Sequence, residues 1–120
     1  MRGVGWLVGG ALLLGAGAAL AADAALKVKK LGAVEAYDAR EGSGWIKDIK
    51  NHTRGEGVDV VLEMSGASIA IDQSFRALRN GGTAALLGLP AKPVTFDFNE
   101  HIIFKGCKVL GINGRKMFQT

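Results

Sequence analysis

Few side chains in this sequence could do chemistry. The single cysteine, Cys107, and the two histidines, His52 and His101, lie far apart. One cysteine excludes an intrachain disulfide, and one Cys with two separated His falls short of the usual ligand count of a zinc site. Glu100 and His101 are adjacent, but neighbours on an extended segment point to opposite sides, so "FNEHIIF" is expected to be a solvated loop and not a catalytic pair. Cys107, between Gly106 and Lys108, is expected to be buried where a strand begins, and Lys105, Lys108, Arg115 and Lys116 to form a solubilising face. No side chain is assigned a catalytic or metal-binding role. What remains is the backbone. There are 18 glycines against two prolines, a balance that points to tight turns and close main-chain approach, not to a linker. The glycine- and serine-bearing loops that open at Met64, Gly88 and Asn113 each follow an apolar run, where a flat ligand would meet backbone groups over apolar surface.

Those loops need elements to hold them. Val58–Glu63 is β-branched and nearly continuously apolar, as in a strand buried on both faces of a parallel sheet. Thr83–Leu87 and Lys108–Ile112 read as two further strands and Val34–Tyr37 as a short one. Helical spacing runs from Ala24 to Leu31, where Gly32 caps it, and again from Trp45 to about Thr53. From Ile69 to Leu78, Ile71, Phe75 and Leu78 form an apolar stripe while Asp72, Gln73, Arg76 and Arg79 face water; Asn80-Gly81-Gly82 ends that helix. Alternating strand and helix with such apolar strands predicts an α/β, Rossmann-like, doubly wound parallel sheet, whose ligands sit beyond the carboxyl ends of the strands.

Charge narrows the partners. Fifteen Lys and Arg against eleven Asp and Glu give a net +4 spread along the chain, which does not imply nucleic acid. The first 22 residues form an apolar, Gly- and Ala-rich segment, treated as distinct from 23–120. After Arg2 it carries no charge as far as Ala22 and ends in Ala19-Leu20-Ala21, the outline of a signal peptide. As a membrane span it is weak, because it holds six glycines between Gly3 and Gly17. Alternatively Trp6-Leu7-Val8 is a strand, Gly9-Gly10 a turn and Ala11 onward a small-residue helix, the remnant of a first strand and helix. Gly15-Ala16-Gly17 opens a dinucleotide fingerprint but has Leu20 where its third glycine belongs; helix packing is the expected role of that triplet.

The stretches "GVDVVLEMSGA", "RNGGTAALLGLP" and "VTFDFNEHIIFKGCKVLGINGRKMFQT" resemble the later half of the nucleotide-binding domain of zinc-dependent L-threonine 3-dehydrogenases, in the medium-chain alcohol dehydrogenase superfamily. The resemblance extends from Lys29 to Thr120. It implies NAD as cofactor, oxidation of L-threonine to 2-amino-3-oxobutanoate, and a zinc that polarises the alcohol. By the same resemblance Leu87, Gly88 and Leu89 lie along the nicotinamide half of NAD, and the backbone of Ile112 and Asn113 meets its carboxamide. The family's tetramers, with edge strands paired across subunits, imply a homo-oligomer or association through an exposed sheet edge, and a cytoplasmic protein.

The sequence also departs from that pattern. The stretch before "LGA" is shorter than in the family, so the second strand of the sheet and most of one helix are expected to be missing, leaving an open edge. The ribose-gripping acid falls on Ala19 and the basic residue after it on Ala24, with Asp23 nearby but out of register. The zinc ligands of the family's catalytic domain have no counterpart, so the chain alone is not expected to oxidise threonine. The alternative function is an exported small α/β binding or interaction protein with its first 22 residues removed as a signal peptide.

Overall fold

The computed structural model describes residues 3–8, 11–16, 29–38 and 42–113. The elements, in chain order, are β1 (Gly3–Val8), β2 (Ala11–Ala16), β3 (Glu35–Asp38), α1 (Gly44–His52), β4 (Val58–Glu63), α2 (Ser68–Ala77), β5 (Leu78–Leu86), a single π-helical turn (Asn99–Ile103) and β6 (Lys108–Gly111). The six strands form one sheet in the order β3-β1-β2-β4-β5-β6. Neighbours from β2 to β6 are parallel, whereas β1 runs antiparallel to both β2 and β3. The expected α/β parallel sheet is present, with one reversed strand inside it.

That reversed strand changes two expectations. Ala11 onward is strand β2 and not a helix, because Leu12, Leu13 and Leu14 pair with Val61, Leu62 and Glu63 on one side and with β1 on the other. The gap left by a shortened connection is also filled: β1 occupies the position between β2 and β3 and hydrogen-bonds to both. A two-residue connection permits only an antiparallel return, which is why β1 is reversed. The edges of the sheet are therefore β3 and β6, not an interior strand.

Elsewhere the apolar patterns place the elements closely. β4 spans Val58–Glu63 as the nearly continuous apolar run predicts. At the end of the first predicted helix, Gly32 has φ +105° and its N–H donates to the Lys29 carbonyl at 3.0 Å; residues 24–28 lie outside the described ones. Helix α2 stops at Ala77, and Leu78, already extended, opens β5. Asn80-Gly81-Gly82 is thus no helix end. It is an irregularity within β5, where the register against β4 jumps from Val58 opposite Leu78 to Val60 opposite Thr83.

The core is Phe75, Ile49, Val58, Val61, Leu78, Trp45, Ile71 and Ala84. Helix α2 packs against β4, β5, β2 and α1, so more than one stripe of it is covered. Gln73 is accordingly buried, on the same face as Ala70, Ser74 and Ala77, and does not face water as its polarity predicts. Among the described residues no helix is long and apolar enough to cross a membrane.

Candidate functional site

One row of residues crosses the sheet near its carboxyl ends. Leu14 pairs with Glu63, Glu63 with Leu86, and Leu86 with Gly111. The residues that follow each of these form a rim: Gly15-Ala16 closing β2, Met64-Ser65-Gly66 after β4, Leu87-Gly88-Leu89 after β5, and Ile112-Asn113 after β6. The chain leaves β2 toward β3 on one side of the sheet, then returns through β4 toward β6 on the other. The strand order therefore reverses between β2 and β4, the place where open α/β sheets leave a crevice. Gly15 stands at the end of a real strand, which the sequence pattern did not show. Gly17, Ala19, Asp23 and Ala24 lie outside the described residues.

The rim is held together mainly by main chain. Glu63 is fully buried, and its carboxylate accepts the Ser65 N–H at 2.8 Å, the Ser65 hydroxyl, and the Gly66 N–H at 3.2 Å on Oε1 and 3.1 Å on Oε2. Ser65 Oγ in turn accepts the Ala67 N–H at 3.1 Å, just ahead of α2. The Glu63 carbonyl accepts the N–H groups of Leu87 at 2.8 Å and Gly88 at 3.1 Å. A buried carboxylate without partners would be strongly destabilising, and three donors, the Gly66 N–H shared between both oxygens, satisfy this one.

Above Glu63 the two loops touch backbone to backbone. A Cβ on Gly66 would lie 2.6 Å from the Leu89 carbonyl carbon and oxygen, and one on Gly88 would collide with the Gly66 nitrogen. Gly66 also has φ +71°. Glycine is required at both, and the close neighbour of Gly88 is the other loop's main chain. Leu87, Leu89 and Ile112 all expose apolar surface at this end, Leu89 almost completely. The Ile112 N–H donates to the Leu86 carbonyl at 3.0 Å, which extends the β5–β6 ladder beyond the strand and sets Ile112 beside Leu87. A groove of about 610 Å³ runs from Ser65–Ile69 to Leu89–Val94. The structure thus brings Leu87, Gly88, Leu89, Ile112 and Asn113 to adjacent strand ends.

Sequence reasoning missed Glu63, because an acid at the end of an apolar strand reads as the first solvated residue. The signal was the Ser65-Gly66 pair that follows it, two donors within reach of its side chain. It also misjudged His101. "FNEHIIF" is not extended but contains the π turn Asn99–Ile103, closed by the Phe104 N–H on the Asn99 carbonyl at 2.9 Å. The turn drives His101 inward to 2% exposure, between Phe75 and Phe96 with ring centroids 5.9 and 5.0 Å away. Its Nε2 lies 3.0 Å from Asp72 Oδ1 on α2. Burial pushes the Asp72 carboxyl up, but hydrogen bonds from Arg76 and His101 outweigh it and hold the group below its usual pKa.

Two neighbours differ from expectation as well. Lys105 is not part of a solvated face: its Nζ donates to the carbonyls of Phe75 and Leu78 at 2.5 and 2.6 Å, capping the end of α2, and burial lowers its pKa. Cys107 is half-buried, with Sγ 3.3 Å from the His101 carbonyl oxygen. Among the described residues no three His, Cys, Asp or Glu side chains cluster as metal ligands.

The family model for zinc-binding dehydrogenases matches residues 6–120. The chain belongs to the zinc-binding dehydrogenase family. Over 92 residues it is 46% identical to an L-threonine 3-dehydrogenase of Bacillus velezensis, an alignment covering 77% of this chain and 26% of that protein. It is 45% identical over 75 residues to the L-threonine 3-dehydrogenase of Pyrococcus horikoshii, covering 62% and 22%. The chain spans about a quarter of the length of these curated relatives. An alcohol dehydrogenase from Thermotoga maritima superposes with a TM-score of 0.69 at 28% identity, covering 76% of this chain and 26% of that one. A Sinorhizobium meliloti protein of the zinc-binding dehydrogenase kind, solved bound to NADP, gives 0.66 at 28% identity, covering 78% and 28%. Within the family this chain corresponds to part of the Rossmann-like nucleotide-binding domain and resembles the threonine dehydrogenases. The match begins inside β1 and includes all of β2.

Proposed function

We propose that this chain supplies the surface that receives the nicotinamide half of NAD in an enzyme oxidising L-threonine to 2-amino-3-oxobutanoate. The observation that carries the reading is the rim itself, with exposed apolar Leu87, Leu89 and Ile112 at adjacent strand ends beside the crevice. A flat ring can lie on such a surface and release water from it. The N–H groups of Leu87, Gly88 and Ile112 are engaged within the fold. Their carbonyl oxygens are what they offer, and these can accept from a carboxamide. Asn113 adds a side-chain amide at the same edge. NAD, when bound, supplies the hydride acceptor; this chain's residues orient the ring and exclude solvent from one face of it. The ribose-gripping acid of the resembled family falls on Ala19 here, so this chain by itself binds NAD weakly; polarising the alcohol falls to zinc ligands that the described residues do not supply, so turnover of threonine belongs to an enzyme that includes them.

Copies associate through edge strand β6, whose Val109 and Leu110 are exposed, in the cytoplasm where the resembled dehydrogenases work. Titrating the chain with NADH, read by energy transfer from its tryptophans, tests the binding. Ile112→Glu, which sets a carboxylate against the ring, is expected to weaken NADH binding about tenfold. Binding unchanged by Ile112→Glu would move the ring elsewhere, and sedimentation velocity on the same samples reads the association.

A further inference from the structure

Successive N–H groups at the start of a helix converge on a concavity that commonly holds a phosphate or carboxylate. The turn between β4 and α2 is such a concavity, formed by the N–H groups of Ser65 and Gly66, with that of Ala67 joined through Ser65 Oγ. The chain fills it with its own side chain. We infer that Glu63 is a positioning residue, an internal carboxylate that occupies the anion nest of the β4–α2 turn and thereby fixes both loops that face the cofactor. The inference rests on the NAD reading for its functional meaning and on the hydrogen bonds for its geometry.

The geometry has two parts. The Glu63 side chain fixes Ser65 and Gly66, while its carbonyl fixes Leu87 and Gly88. Both loops therefore take their position from one residue, at a crossing where Gly66 and Gly88 leave no room for adjustment. A nest already filled is closed to the phosphates of an arriving dinucleotide. The turn is thereby reserved as a wall of the groove, with Ser65 and Gly66 lining one side and Leu89 the other. Losing the carboxylate would free these N–H groups, reopen the nest, and let the Leu87–Leu89 loop drift from the plane the ring needs.

The test compares wild type, Glu63→Ala and Glu63→Gln in amide hydrogen exchange without nucleotide, and then in NADH titration, each in sodium formate and in sodium chloride of equal ionic strength. In Glu63→Ala, exchange at Ser65 and Gly66 is expected to rise about tenfold or more while Val61 and Phe75 stay protected. NADH affinity is expected to fall about tenfold. Formate, small enough to enter the vacated nest, should restore much of both, and chloride should not; a residue that merely fills space would show no such preference. Glu63→Gln keeps one acceptor oxygen but turns an NH2 toward donors, so its exchange should be intermediate. Wild-type protection of Ser65 and Gly66 in Glu63→Ala, or equal behaviour in formate and chloride, overturns the inference. Should Glu63→Ala not fold, Glu63→Gln decides: selective loss of protection at Ser65 and Gly66 supports it, and wild-type exchange there overturns it. If wild type binds no NADH while the exchange pattern and formate response appear, the lock stands and the NAD reading falls.

Discussion

The rim at the carboxyl ends of β4 and β5 and the seam between α2 and the π turn are built on opposite plans. At the rim, main chain meets main chain: Gly66 lies against Leu89, Gly88 against Gly66, and one buried carboxylate binds backbone N–H groups. At the seam, side chains meet: His101 sits between Phe75 and Phe96, its ring nitrogen reaches Asp72, and Lys105 reaches over the end of α2. A backbone crossing has no rotamers with which to absorb an added atom, whereas a side-chain seam can repack. The rim is therefore rigid in shape and intolerant in sequence, which suits the nicotinamide surface proposed for it. The seam has only to keep α2 and the π turn in place.

The sharpest way to break this contrast is Gly88→Ala. Its Cβ would meet the Gly66 nitrogen and the Ser65 carbonyl carbon, neither of which can rotate away, and a loss of about 3 kcal/mol or more in urea unfolding is expected. A cost below about 1 kcal/mol would mean that the loops separate easily and the rim is no more rigid than the seam.

At the seam, His101→Ala removes a buried ring and a hydrogen bond and should cost about 2–3 kcal/mol. His101→Phe should recover most of that, to within about 1 kcal/mol of wild type, because the ring contacts persist and the buried Nδ1, which has no partner, is removed. Equal losses for the two variants, read from the same urea curves, would show that the polar contact holds the seam and not the packing.

The smallest effect is on pH dependence. Burial raises the Asp72 pKa, yet hydrogen bonds from Arg76 and His101 leave it depressed. A carboxyl with a depressed folded pKa contributes stability that is complete above its unfolded value of about 3.9 and is lost as pH falls through the folded value. The Asp72 side chain is 44% exposed, so solvent screening limits the contribution to a few tenths of a kcal/mol. Thermal melts of wild type and Asp72→Asn should differ by that small amount near neutrality and converge in acid. A difference that grows as pH falls would contradict the assigned ion pair.

Much of the fold was legible because burial on both faces leaves a plain mark. The run Val58–Glu63 matches β4 residue for residue, and Ile71 and Phe75 lie on the buried part of α2, although Leu78, the third residue of that stripe, is buried as the first residue of β5. The positions Leu87–Leu89 and Ile112–Asn113 came from resemblance, and the strand order sets them side by side. Three features were illegible for separable reasons. Ala11–Ala16 has small and apolar residues that suit helix or strand equally, and only pairing with β1 and β4 decides. Gln73 is buried because α2 packs against α1 as well as against the sheet, so more than its apolar stripe is covered, and no local pattern announces those contacts. His101 turns inward because a π turn inserts an extra residue per turn and shifts every side chain after it.

By itself the sequence determined the kind of fold, the strands that must be buried, and the glycines where chains must approach, since these follow from side-chain size, apolarity and backbone freedom at each position. Long-range packing settles that β1 runs backward to fill the sheet, that Glu63 turns its carboxylate into the β4–α2 turn, and that Gly66 and Gly88 are each other's neighbours. Each of those depends on what stands opposite a residue across the sheet or across a loop crossing. Such an arrangement is fixed by the packing of distant segments and written in neither segment alone.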